Sequence, residues 1–208
     1  LAFIDRSPTP YHAVAESAVR LEAAGFNRIT EGELWDHGPG ACRYVVRNDG
    51  SLAAFQLGTT SPAQGGFRIL GAHTDSPNLR LKPEPDVSAH GYRQLAVEPY
   101  GGVLLHTWLD RDLSLAGRVS VAQDGQVRTV LMDFARPMLR IPNLAIHLFK
   151  EIREEGLKIN AQKHTVPVIG LEDTPPIREL LATELRAQGF SLGSADQVLS
   201  FDLMLYDT

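Results

Sequence analysis

Apolar residues recur at helical spacing near the start of the chain, where Ala13, Val14, Ala18, Leu21 and Ala24 fall on one face. Thr9 suits an N-cap, Pro10 the first helical position and Gly25 the stop, so the pattern predicts an amphipathic helix. The period then shortens to that of strands. "CRYVVR" (42–47) and "SLAAFQLG" (51–58) flank Asn48, Asp49 and Gly50, which predicts a β-hairpin closed at an Asp-Gly turn. "GGFRILGAH" (65–73) is apolar enough to predict a third strand inside a sheet.

Beyond Pro83 and Pro85 the texture changes to short strand candidates: "RQLAVEPY", "VLLHTWLD", "LAGRVSVAQ" and "VRTVLMDF", with Asp124-Gly125 as another hairpin turn. A shift from helix-strand alternation to a run of short strands marks a change of architecture, which places a domain boundary near residue 85. The alternative is one domain with a peripheral β-rich lobe. Leu144, Ala145, Leu148, Phe149 and Ile152 predict a helix from Pro142 to about Glu155, ended by Gly156. A further helix is predicted from Pro175 to Gly189 with Thr174 as its cap, and "QVLSFDLMLYDT" closes the chain as a strand. The fold class is α/β.

Composition narrows the function classes. With 208 residues and 43% hydrophobic content, the chain suits one large domain or two small ones. No apolar run approaches the roughly 20 residues that span a bilayer, and the first residues do not resemble a signal peptide, so neither a membrane nor secretion is expected. One cysteine, Cys42, cannot form an internal disulfide, which fits a cytoplasmic protein. The 20 basic and 25 acidic residues give a net charge of -5 with the basic ones scattered, which disfavours nucleic acid. Phosphate-loop, Gly-x-Ser-x-Gly and His-Glu-x-x-His signatures are absent.

The candidate chemistry lies in "GAHTDSPNLRLKP" (71–83), where His73 and Asp75 stand two apart at the end of the predicted third strand. A ligating histidine passes its second N–H to a carboxylate or carbonyl, and Asp75 is spaced to receive it. Ligands in open α/β sheets also gather at the carboxyl ends of strands. The triplet alone is weak evidence, and an ordinary loop histidine stays open as the competing reading. His12, His37, His90 and His164 read as surface or loop residues, His106 as a satisfied strand residue, and His147 as a packed or surface residue of the predicted 142–155 helix. Asp110 and Asp112 flank Arg111 and fit a cation site or an arginine-centred ion-pair cluster. Glu151, Glu154 and Glu155 read as a solvated helix face.

Four stretches taken together are more specific: "SPTPYHAV" (7–14), "LGAHTDSPNLRLKP" (70–83), "YGGVLLHTWLDRDLSLAGRV" (100–119) and "IPNLAIHL" (141–148). In this order and spacing they resemble the aspartyl aminopeptidase family of dinuclear zinc metallopeptidases, over the whole chain from about Phe3. The resemblance implies a partial α/β/α zinc-peptidase catalytic domain with an inserted β-rich dimerisation domain. Residues 1–85 would be the first part of the catalytic domain, 86–200 the insertion, and 201–208 the start of the return into the catalytic domain. It further implies a cytoplasmic exopeptidase that uses two zinc ions to remove N-terminal residues, acidic ones in many members, from peptide substrates. Homo-oligomers are implied too, with dimers assembling to a dodecamer. Carried onto this sequence, His73 matches the first zinc ligand, Asp75 the aspartate that orients it, and His147 a histidine that reaches substrate in a neighbouring subunit.

The family's bridging aspartate, its glutamate pair, a further aspartate and a last histidine have no counterpart among these 208 residues. A catalytic zinc takes about three protein ligands, so the 208-residue chain by itself is expected to be inactive. Residues 1–85 are expected to leave apolar surface and strand edges exposed. The competing reading is a non-catalytic oligomerisation module.

Overall fold

A computed structural model of the chain describes residues 1–35 and 37–208. They divide into two units, Leu1–Ser76 and Pro77–Thr208. The first holds helices α1 (Ala2–Asp5), α2 (Pro10–Ala23) and α3 (Pro62–Gly65), and strands β1 (Asn27–Arg28), β2 (Cys42–Arg47) and β3 (Ser51–Gln56). β1 runs parallel to β2, and β2 antiparallel to β3, in the order β1-β2-β3.

Helix α2 starts where its sequence signals put it, with Thr9 extended and Pro10 first. The Thr9 hydroxyl bonds Nδ1 of His12 at 2.8 Å rather than capping a backbone N–H. Tyr11, Ala13 and Val14 are buried on its inner face, and Tyr44 and Val45 of β2 are buried as well. The hairpin also forms, paired from Cys42↔Gln56 to Arg47↔Ser51. Its positive φ angles fall at Asn48 and Asp49, not at Gly50. Both side chains tolerate the left-handed region, so the reversal does not need the glycine.

The third strand expected at 65–73 does not form: Phe67, Ile69 and Leu70 are 79%, 85% and 101% exposed. A strand exists only as part of a hydrogen-bonded ladder, and no described strand of this unit pairs with the segment. An apolar run records what a segment is suited to bury. It does not supply the partner.

The second unit holds β4 (Asn78–Ala89), β5 (Tyr92–Tyr100), β6 (Leu113–Gln123), β7 (Gln126–Asp133), α4 (Ile152–Glu155), β8 (Val168–Leu171), α5 (Ile177–Ala187) and β9 (Val198–Asp207). Its six strands lie in the order β7-β6-β9-β4-β5-β8. Position 85 therefore falls within β4. Pro83 and Pro85 sit where the β4–β5 register shifts, between Leu81 and Asp86. Neither proline can donate to a ladder, so pairing stops before them and resumes after. The closing strand forms as β9 between β6 and β4, and an Arg80 to Asp202 hydrogen bond of 2.6 Å ties β4 to it.

One face of α5 (Ile177, Leu181, Ala182, Leu185) joins Leu79, Leu95, Leu113, Leu115, Leu203 and Leu205 in the core of this unit. The helix begins at Ile177, not Pro175, and its expected cap Thr174 is replaced. The Ile177 N–H donates instead to the Asp86 carboxylate, at 3.0 Å, from β4. The helix expected over 142–155 shrinks to α4, with Leu144 and Leu148 exposed. Most helical stability comes from packing an apolar face, and this one is not packed against the sheet. "VLLHTWLD" is not a strand either: Leu105–Trp108, including His106, forms a 3-10 turn.

Tyr206 of β9 donates a hydrogen bond of 2.6 Å to Asp133 at the end of β7. Burial first, and then this bond, push its phenol pKa from 10.0 up to about 12. Between those values the unfolded chain releases the proton and the folded chain keeps it, so stability is present below pH 10 and falls as pH rises to about 12. Tyr206→Phe is expected to remove this fall. Urea midpoints at pH 9 and pH 12 that decline equally in both proteins would show that Tyr206 is not its source.

Candidate metal centre

The segment after α3 carries His73 and Asp75 in an irregular loop at the end of the first unit. Nδ1 of His73 lies 2.7 Å from the Asp75 carbonyl oxygen and 3.1 Å from its Oδ1. Both oxygens accept, so Nδ1 carries the proton and the lone pair is left on Nε2. No described residue hydrogen-bonds Nε2. The His73 side chain is 81% exposed, that of Asp75 38%. The loop thus presents an imidazole in the tautomer that binds a metal through Nε2. Next to it, the Thr74 hydroxyl donates to the Gly50 carbonyl, at 3.0 Å.

The spacing of His73 and Asp75 makes this pair legible from sequence, whereas nothing local marks the Thr74 bond, whose partners are 24 residues apart. Among the described residues no group of three or more His, Cys, Asp and Glu side chains could hold a metal. The residues present therefore fit one ligand and its support.

His147 belongs to the second unit and is exposed in a turn, not a helix. Asp110 and Asp112 resolve to structural contacts. Oδ1 of Asp110 accepts from the Asn143 N–H at 3.0 Å, Arg140 pairs with Asp112 at 3.6 Å, and Arg111 pairs with Asp207. His12 and His164 are held by local bonds to Thr9 and Asn160, and His90 occupies the β4–β5 turn with φ 55°.

Comparison with known proteins identifies the family. The model for aminopeptidase I zinc metalloproteases (M18) matches residues 3–208. The chain belongs to the M18 aminopeptidase family. A probable M18 family aminopeptidase 2 of Pseudomonas fluorescens is 50% identical over 210 residues, covering 99% of this chain and 48% of its own length. One from Streptomyces coelicolor is 48% identical over 206 residues, covering 99% and 46%. The chain spans about half the length of the curated relatives it matches.

Solved M18 structures agree in fold. The Ape4 chain in a cryo-EM structure of the Ape4 and Nbr1 complex superposes with a TM-score of 0.92 at 40% identity, over 99% of this chain and 42% of its own. Chaetomium thermophilum mApe1 gives 0.81 at 31%, over 97% and 48%. A structure of the S. cerevisiae mApe1 dodecamer gives 0.78 at 29%, over 99% and 46%. The α/β fold is that of part of an M18 aminopeptidase.

Proposed function

We propose that this M18 chain forms part of a zinc-dependent aminopeptidase that removes N-terminal residues, acidic ones above all, from peptides. The observation that carries the reading is the His73–Asp75 pair, which presents Nε2 of a correctly protonated imidazole in a family described as zinc metalloproteases. His73 would be a ligand in a two-zinc site, and Asp75 would hold its tautomer and ring orientation. Bound zinc supplies activation of water and polarisation of the scissile carbonyl. The other ligands and the general base would lie outside the described residues.

His147 would donate a hydrogen bond to substrate in the active site of a neighbouring subunit. Support for assembly comes from the dodecameric mApe1 relative. A cytoplasmic location rests on the lone Cys42, and cell fractionation that finds the protein elsewhere would overturn it.

The deciding experiment assays the complete gene product on peptides with N-terminal Asp, Glu, Leu or Ala, alongside its zinc content and assembled mass. Release of Asp and Glu, lost with a chelator and restored by zinc, is expected; no release from any N-terminus at full zinc occupancy would end the proposal.

Two substitutions separate the roles. Asp75→Asn leaves the backbone carbonyl as an acceptor for Nδ1, so zinc affinity should fall only about 10-fold, the lower end of the usual loss. A wild-type affinity in chelator competition would remove the carboxylate from the orienting role. His147→Ala should keep zinc content and lower kcat about 10-fold or more. An unchanged kcat in the assembled protein would return His147 to the surface.

A further inference from the structure

His147 stands in a turn of the second unit, within residues 142–149, which form neither helix nor strand. Local bonds shape this stretch. The Leu144 N–H donates to the Asn143 side-chain carbonyl at 3.0 Å, and the Leu148 and Phe149 N–H groups donate to the carbonyls of Ala145 and Ile146 at 2.9 and 3.3 Å. Such bonds settle the form of the turn, not where it stands on the unit. At its far end the half-buried Phe149 is one anchor. At its near end the anchor is Asp110.

Asp110 precedes β6, and each of its polar groups bonds one of residues 140–143. Its N–H donates to the Ile141 carbonyl at 2.9 Å, its carbonyl accepts from the Arg140 guanidinium at 2.7 Å, and Oδ1 of its carboxylate accepts from the Asn143 N–H at 3.0 Å. The residue takes a left-handed φ of 58°, which aspartate tolerates. Both sides of this junction are fixed to the unit. Ile141 is buried in its core and Leu109 packs against that core. Arg140 and Val168 exchange N–H to carbonyl bonds of 3.0 and 2.8 Å, and Val168 begins β8, which pairs with β5. Past Ile141, Pro142 has no N–H to donate. The Asn143 N–H is thus the first donor of the stretch, it goes to Asp110, and His147 follows four residues later.

We propose that Asp110 is a positioning residue for His147: its carboxylate fixes the stretch at Asn143 and so sets where the imidazole is presented. The inference rests on the reading of His147 as a donor to substrate. A donor held in place before substrate arrives has less order to lose on binding, and small misplacements of a donor are costly in rate. The carboxylate acts at the root of the stretch, and Phe149 and the turn bonds act beyond it.

The test uses the complete gene product in its assembled form, on whichever of the peptides with N-terminal Asp, Glu, Leu or Ala it cleaves fastest. Asp110→Gly removes the carboxylate and keeps the left-handed backbone open. It is expected to lower kcat about 3- to 10-fold, the share of one hydrogen bond, at wild-type zinc content and assembled mass. Asp110→Asn keeps an acceptor oxygen and tolerates the same φ, and is expected to restore kcat. In a His147→Ala background, Asp110→Gly is expected to lower kcat no further, because the group it places is gone. Asp110→Ala serves in place of the glycine variant if that one fails to assemble.

A wild-type kcat in Asp110→Gly would overturn the proposal. So would an Asp110→Asn protein as slow as Asp110→Gly, because the bond from Asn143 would then not be the cause. Equal losses from Asp110→Gly with and without His147 would make Asp110 a structural residue and overturn it as well. His147→Ala alone separates these outcomes from failure of the underlying reading. An unchanged kcat there removes His147 as a donor and the proposal with it, whereas a loss there with none in Asp110→Gly rejects the positioning role alone.

Discussion

His73→Ala in the complete gene product is expected to lower zinc affinity more than 100-fold and peptide turnover at least as much, while the protein stays folded. The magnitude follows from comparison with the shell behind the ligand. Losing a residue that merely orients a ligating histidine costs about 10–100-fold, and losing the ligand itself exceeds that. Folding should be spared because the His73 side chain is 81% exposed and its Nδ1 bonds to Asp75, two residues away in the same loop. Metal analysis and kcat/KM would be measured on the same preparation, with circular dichroism to show the fold. Full zinc content with wild-type turnover would mean that the His73–Asp75 bond is an ordinary loop contact.

The second large effect concerns stability. Gly117→Ala would place a Cβ 2.0 Å from the carbonyl oxygen of Asp202 and 3.0 Å from Cα of Leu203, both main-chain atoms of β9. Gly117 and Leu203 are directly paired, in a ladder that runs from Leu113↔Asp207 to Val121↔Val198. Its φ of +156° is also one that side chains rarely adopt. The neighbour cannot give way by a rotamer change, so β6 and β9 must separate locally in the middle of the sheet. A loss of about 3 kcal/mol or more is expected, read as a drop in Tm of about 10 °C.

Gly125→Ala is the control. Nothing lies within 4 Å of its added Cβ, and the cost is limited to a φ of +73° in the hairpin turn, about 1 kcal/mol. If the two variants melt together, the close approach at Gly117 is relieved by movement of the backbone, and the argument from packing fails.

Local signals carried the parts of the fold whose causes are local. Helix α2 forms because the proline at its first position and its apolar face are neighbours in sequence, and the two hairpins form because their turns and flanking strands are adjacent. Even there the reversal at 48–50 is made by Asn48 and Asp49, since the strand ends and not the glycine decide which residues turn. Where burial depends on distant partners, pattern misled. Residues 65–73 have the composition of an inner strand and 142–155 the periodicity of a helix, yet neither segment joins a ladder among the described residues, and Phe67, Ile69, Leu70, Leu144 and Leu148 stay exposed.

What the sequence by itself determined is the pairing of His73 with Asp75, because the two are two residues apart and the bond between them needs only a turn of the loop. It also determined the α/β character, the hairpins and the family, whose motifs stand in order along the chain. The tertiary structure alone decided the contacts between residues far apart. β9 enters between β6 and β4, Asp86 caps a helix 91 positions later, Gly117 gives room to the β9 backbone, and Thr74 reaches the turn at Gly50. Such contacts depend on which surfaces meet once the chain has collapsed, and a hydrophobic or polar period records only that a surface exists, not what it meets.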